Sequence, residues 1–127
     1  MATERQRRGA QAETEAVAFL EDLGWNVLAR NLRVGRDEVD ILAIDAGPPA
    51  TLVVVEVRGL RTVAFGSPEE RVDRAKVGRL YRALAGLSRA FEFDVGVGRL
   101  PRRVDLVIVD RRSGRSNIRH FRALEPP

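Results

Sequence analysis

The sequence predicts an α/β domain, a mixed β-sheet flanked by helices, with elements in the order α-β-β-β-α-β-β. Three observations carry this. Two strand-like runs, Glu38–Asp45 and Thr51–Arg58, flank a Gly47-Pro48-Pro49 turn, which reads as a hairpin. Two longer stretches place apolar residues at helical spacing, one before these strands and one after. A further apolar run, Val104–Asp110, follows the second helix, so the chain returns to the sheet by a helical crossover.

Taken in order, the first helix is expected over Glu4–Leu23, with Thr3 and Gln6 forming a capping box at its head. Ala10, Val17 and Leu20 share one face, and Glu13 falls on that face too. Glu15, Glu21 and Asp22 fall outside it and read as solvated. Gly24 stops the helix. Trp25–Val34 reads as the first strand, broken by Gly35, and residues 25–58 hold three strands in all. In the third, Leu52, Val54, Glu56 and Arg58 alternate with Val53, Val55 and Val57, so both faces are apolar and the strand belongs in the middle of its sheet. In the second, Asp40, Leu42 and Ile44 are expected to share a face.

The second helix spans 67–90. Ser67 caps it, Pro68 takes its first position and Glu70 stands three after the cap. Its apolar stripe runs Val72, Lys76, Leu80, Leu84, Leu87, interrupted by the lysine. Phe91–Arg103 contains Gly96, Gly98 and Pro101, so it reads as a loop or edge segment rather than a central strand. The last strands lie within 104–124: Val104–Asp110, a turn at Arg111–Arg115, then Asn117–Leu124. The lone histidine, His120, reads as structural or exposed. The 127 residues make a single domain, 1–127, with no repeat or low-complexity segment.

Composition narrows the function. Cysteine is absent, which excludes disulfides, thiolate zinc sites and a cysteine nucleophile. No apolar run approaches the roughly 20 residues of a membrane helix, and the charged N-terminus lacks a signal-peptide stretch. The expectation is a cytoplasmic protein with no membrane partner. The net charge is +4, carried by arginine, since Lys76 is the single lysine among 22 basic residues. A codon bias toward arginine and a phosphate-binding surface both fit that balance. Walker, zinc and Ser-His-Asp patterns are absent.

Three carboxylates occupy positions that the hydrophobic pattern reserves for core: Glu13, Asp40 and Glu56. Burying an ionised carboxylate is costly without a compensating cation or hydrogen bonds. Several such groups gathered together suit a hard divalent cation, which takes carboxylate oxygens, waters and a substrate phosphate. Arg58, two residues beyond Glu56, suits contact with a phosphate.

Asp40, fifteen intervening residues and then Glu56-Val57-Arg58 resemble the D-x(n)-(D/E)-x-K signature of the PD-(D/E)XK nuclease superfamily. The chain more closely resembles the small bacterial YraN-like family of uncharacterised, nuclease-like proteins. The matching pieces are Gly9-x-x-Ala12-Glu13-x-x-Ala16 with Phe19-Leu20 and Gly24-Trp25, then Arg30-Asn31-x-Arg33, then Asp37 to Ala43. They continue with Leu52 to Arg58, Phe65-Gly66-Ser67-Pro68, Lys76 and Arg79-Leu80. They cover roughly residues 9 to 90, with Val104–Asp110 supplying the last core strand.

The resemblance implies a restriction-endonuclease-like core and metal-dependent hydrolysis of phosphodiester bonds in DNA, structured or branched DNA included. It implies Asp40 and Glu56 as ligands of Mg²⁺ or Mn²⁺, Glu13 as a helix-borne acid of the same site, and Glu38 as an acid supporting them. Arg33, Arg36, Arg61 and Arg79 are the arginines expected to meet nucleic acid. The departure is Arg58, where the superfamily has lysine. Lysine can give up its proton when buried and help activate water, and arginine cannot. Either Arg58 keeps only the electrostatic role, or Lys76 supplies the ammonium from the second helix. The alternative function is a binding or interaction module on a nuclease-like scaffold, with weak catalysis or none. A homodimer would suit the cutting of two strands.

Overall fold

The computed structural model describes residues 3–60, 74–90 and 95–126. The order is α1 (Glu4–Asp22), β1 (Asn26–Val34), β2 (Asp37–Asp45), β3 (Thr51–Leu60), α2 (Arg74–Ala90), α3 (Val95–Gly98), β4 (Arg102–Asp110) and β5 (Asn117–Phe121). The five strands form one sheet in chain order. β3 and β4 run parallel and the other neighbours antiparallel, so the sheet is mixed and the architecture is compatible with a restriction-endonuclease-like core.

The helices cover opposite faces. α1 lays Ala12, Ala16 and Leu20 on Ile41, Ala43, Val53, Val55, Val107 and Val109. α2 lays Leu80, Ala83, Leu84 and Leu87 on Leu42, Leu52, Val54 and Val104. β3 lies third of five with Leu52–Val55 fully buried, as its two-sided valines required.

The expected caps and stops are present. Thr3 Oγ1 accepts from the Gln6 N–H at 3.1 Å, and Gln6 Oε1 accepts from the Thr3 N–H at 2.8 Å. Gly24 leaves the helix at a φ of +88°. Ser67, Pro68, Glu70 and Val72, the expected head of the second helix, lie outside the described residues.

Four readings need correction. The buried face of α1 carries Ala12, Glu13, Ala16 and Leu20, and Ala10 is exposed. Small alanines let the helix lie close on the sheet, which outweighs the bulk that Ala10–Val17–Leu20 would have offered. Glu15 is not solvated: it is half-buried and ion-paired with Arg111, and it accepts from Ser116 Oγ at 2.9 Å. A third, four-residue helix stands within the segment read as loop or edge. Finally, Leu42 and Ile44 share the α2 face as expected, but the regular alternation does not continue back through Asp40 to Val39, for a reason that bears on the site.

Candidate active site

The β2–β3 ladder runs from Asp45↔Thr51 to Ile41↔Val55. One residue beyond, Asp40 Oδ2 accepts the Val57 N–H at 2.9 Å. A side-chain carboxylate thus takes over from a backbone carbonyl where the two strands part. The two-residue alternation slips at this point. Val39 and Leu42 both pack toward α2, while Ile41 and Ala43 pack toward α1. Across the β1–β2 ladder, between Arg30↔Ile41 and Leu32↔Val39, Asn31 sits at a φ of +49°, a conformation asparagine tolerates better than most residues. Asp40 therefore stands at the parting of β2 and β3, where it interacts with acids from both sides of the sheet.

Glu56 follows Leu52 and Val54 on the α2 face of β3 and is 5 % exposed. Its Oε1 lies 3.4 Å from Lys76 Nζ of α2. Its Oε2 is buried and has no hydrogen-bond partner among the described residues. Burial raises the Glu56 carboxyl, the neighbouring Asp40 raises it further, and Lys76 only partly opposes them, leaving it at about 7. On the other side, Glu13 of α1 is 8 % exposed. Burial and Asp40 raise its pKa, against Arg30, whose Nε lies 3.4 Å away. Arg30 is itself steadied by Thr14 Oγ1, which accepts from Nη2 at 3.0 Å.

Asp40 thus couples to Glu13 on one side and to Glu56 on the other. Among the described residues, no three His, Asp or Glu side chains form a ready-made coordination shell. The donor chemistry nevertheless fits a hard divalent cation. The donors are carboxylate oxygens, and one of them, Glu56 Oε2, is buried with no hydrogen-bond partner among the described residues. A cation beside Asp40 and Glu56 would also replace the proton that Glu56 retains near neutrality.

The other selected residues divide between two clefts. Arg36, Glu38, Lys76 and Arg79 line one of about 140 Å³ between the β1–β2 turn and α2, with Asp37 and Leu80. Glu38 is exposed there, and Arg33, exposed on β1, stands opposite it in the register. Arg58 lines a second cleft on the α1 side, of about 580 Å³. Arg61 lies outside the described residues.

One fully buried acid escaped the sequence reading. Asp105 of β4 is fully buried, and its carboxylate accepts from Arg103 Nε (2.8 Å) and Nη2 (3.0 Å), the Ala123 N–H (3.0 Å) and His120 Nε2 (2.8 Å). Burial pushes Asp105 up, but the bonds from His120, Arg103 and Ala123 outweigh it and hold the acid below the usual carboxylate range. Arg103 also reaches Asp45 at 2.9 Å and lies over the Trp25 ring. The signal was present: Asp105 stands between Val104 and Leu106 just as Glu56 stands between Val55 and Val57. Asp105 is fully satisfied within the protein and Glu56 is not, which separates a structural acid from a site acid. His120, edge-on to Phe19 and Trp25, is structural.

The family model described as "Uncharacterised protein family UPF0102" matches residues 12–109, from α1 to the end of β4. A UPF0102 protein of Bacteroides thetaiotaomicron is 36% identical over 125 residues, 98% of this chain and 97% of the relative. A UPF0102 protein of Arthrobacter sp. is 35% identical over 118 residues, 91% and 93% of the two chains. One of Persephonella marina is 39% identical over 75 residues, 59% of this chain and 62% of the relative. This chain belongs to the UPF0102 family, the YraN-like family that its motifs resemble.

Proposed function

We propose that this protein is a Mg²⁺-dependent endonuclease hydrolysing phosphodiester bonds in DNA, including structured or branched DNA. The observation that carries this reading is Glu56 Oε2, a buried carboxylate oxygen left unsatisfied beside Asp40. Asp40 and Glu56 would hold the ion, with Glu13 reinforcing the negative potential through Asp40. When bound, the ion supplies a water of lowered pKa and stabilises charge on the phosphoryl oxygen.

The chain's own residues do the rest. The Val57 N–H fixes one Asp40 oxygen, so the carboxylate keeps its orientation before any ligand arrives. Lys76, within 3.4 Å of Glu56, brings the single lysine of the chain to the acid pair, which supports it as the relocated ammonium. Arg36 and Arg79, in the cleft that Lys76 shares, suit the phosphates flanking the scissile one.

The test is cleavage of linear, flapped and four-way DNA with Mg²⁺ or Mn²⁺. The expected result is cleavage that disappears in Asp40→Ala. Unchanged activity in that variant would sink the reading. Salt-sensitive binding without cleavage by the unaltered protein would replace it with the binding-module alternative.

A further inference from the structure

The cleft on the α1 side lies outside the acid pair, on the other face of β3 from Glu56. Its walls include Ala12, next to Glu13, and Val57, next to Glu56. Four arginines line it: Arg5 and Arg8 from α1, Arg58 from the end of β3, and Arg111 just after β4. Among the described residues, no acid lines it. Glu4 and Glu15, which pair with Arg8 and Arg111, lie outside the lining.

Two glycines in this cleft behave differently. A Cβ on Gly59 would come within 3.1 Å of Ala12 Cβ, so this glycine lets β3 and α1 approach closely at the back of the cleft. Gly9 lies inside α1, where glycine costs roughly 0.5–1 kcal/mol relative to alanine. A Cβ added there would meet nothing within 4 Å. Among the described residues no neighbour occupies the place of the missing side chain, and the open space in front of it is the cleft. A ligand lying against the helix would use that space.

From this we infer that the cleft seats a single strand of nucleic acid, its phosphates on the α1 arginines Arg5 and Arg8 and its backbone passing over Gly9. A volume of about 580 Å³ falls in the range of small-ligand sites, roughly 300–1,000 Å³, and is room for a nucleotide or two. Resting on the nuclease reading, this narrows the substrate to DNA that offers an unpaired strand: a flap, overhang or fork.

The test is made without metal, in EDTA, so that binding is separated from cleavage. Fluorescence anisotropy compares a short oligothymidylate with a blunt duplex. Two variants are used: Gly9→Leu, which fills the cleft and keeps every arginine, and Arg5→Glu with Arg8→Glu, two exposed positions. Each should weaken oligothymidylate binding about tenfold or more, and the double variant should reduce the salt slope by about 1.4, at roughly 0.7 per lost single-strand phosphate contact. Duplex binding should stay within about twofold, and Gly9→Leu should melt no lower than the unaltered protein. Single-strand binding unchanged in both variants, or single-strand and duplex binding falling together, would overturn the inference. Asp40→Ala should bind the single strand undiminished. That result, with no cleavage by the unaltered protein, would remove the nuclease reading and leave the cleft assignment standing.

Discussion

Replacing Glu56 by glutamine should change how stability depends on pH, and the structure sets sign and size. The Glu56 carboxyl titrates at about 7 in the folded chain, against 4.5 for an unperturbed glutamate. The folded protein keeps this proton over a pH range in which the unfolded chain has released it. The associated stability is therefore fully present below about pH 4.5 and is lost as pH rises through about 7. At about 1.36 kcal/mol per pKa unit, the displacement of roughly 2.5 makes that loss about 3 kcal/mol. Glutamine keeps the shape and cannot ionise, so the variant should gain about 2–3 kcal/mol on the native protein between about pH 5 and about pH 8. Urea denaturation in EDTA across that range, followed by circular dichroism, measures the difference, with the m-value as the check that both unfold alike. Mg²⁺ should return stability to the native protein at the alkaline end and do little for the variant. If the two stability curves run parallel, Glu56 is not the strained acid described above.

Asp40→Asn should lower the Glu56 pKa from about 7 toward 4.5, because one of the groups raising it has gone; carbon-13 NMR titration of the glutamate carboxyls reads this directly. Calorimetric titration of Mg²⁺ or Mn²⁺ near neutrality should show proton release, seen as heats that differ between buffers of different ionisation enthalpy, and Glu56→Ala should abolish the binding. Asp105→Ala should cost about 3–5 kcal/mol by urea denaturation, since it strips Arg103 and His120 of a buried acceptor. A cost below about 1 kcal/mol would mean that the Asp105 network is not the structural anchor its hydrogen bonds suggest.

Much of the architecture was legible because local chemistry and tertiary packing agree. The Thr3–Gln6 box, the Gly24 stop and the two-sided valines of β3 each settle an element from a few residues. Lys76 was legible as an inward cation because it breaks an apolar stripe, and it does meet Glu56. What escaped depends on distant partners or on a slip in regular geometry. Glu15 reads as solvated until Arg111, 96 residues later, arrives beside it. Asp40 reads as one member of an alternating face because nothing in its own strand announces the slip opposite Asn31. Asp105 was passed over inside its valine run although it sends the same signal as Glu56. Only the count of donors, four for one acid and an empty oxygen for the other, separates the two.

The parallel pairing of β3 with β4 has a consequence for how the chain is made. α1 and the first three strands complete their mutual contacts by Leu60, yet the other edge of β3 is not covered until Asp110 has been synthesised. Translation at roughly 5–20 residues per second leaves that valine-rich edge bare for roughly 3–10 s on every ribosome. During those seconds the nascent chain exposes a ready template for intermolecular strand pairing. Crowded synthesis should therefore tax this protein more heavily than refolding of the finished chain.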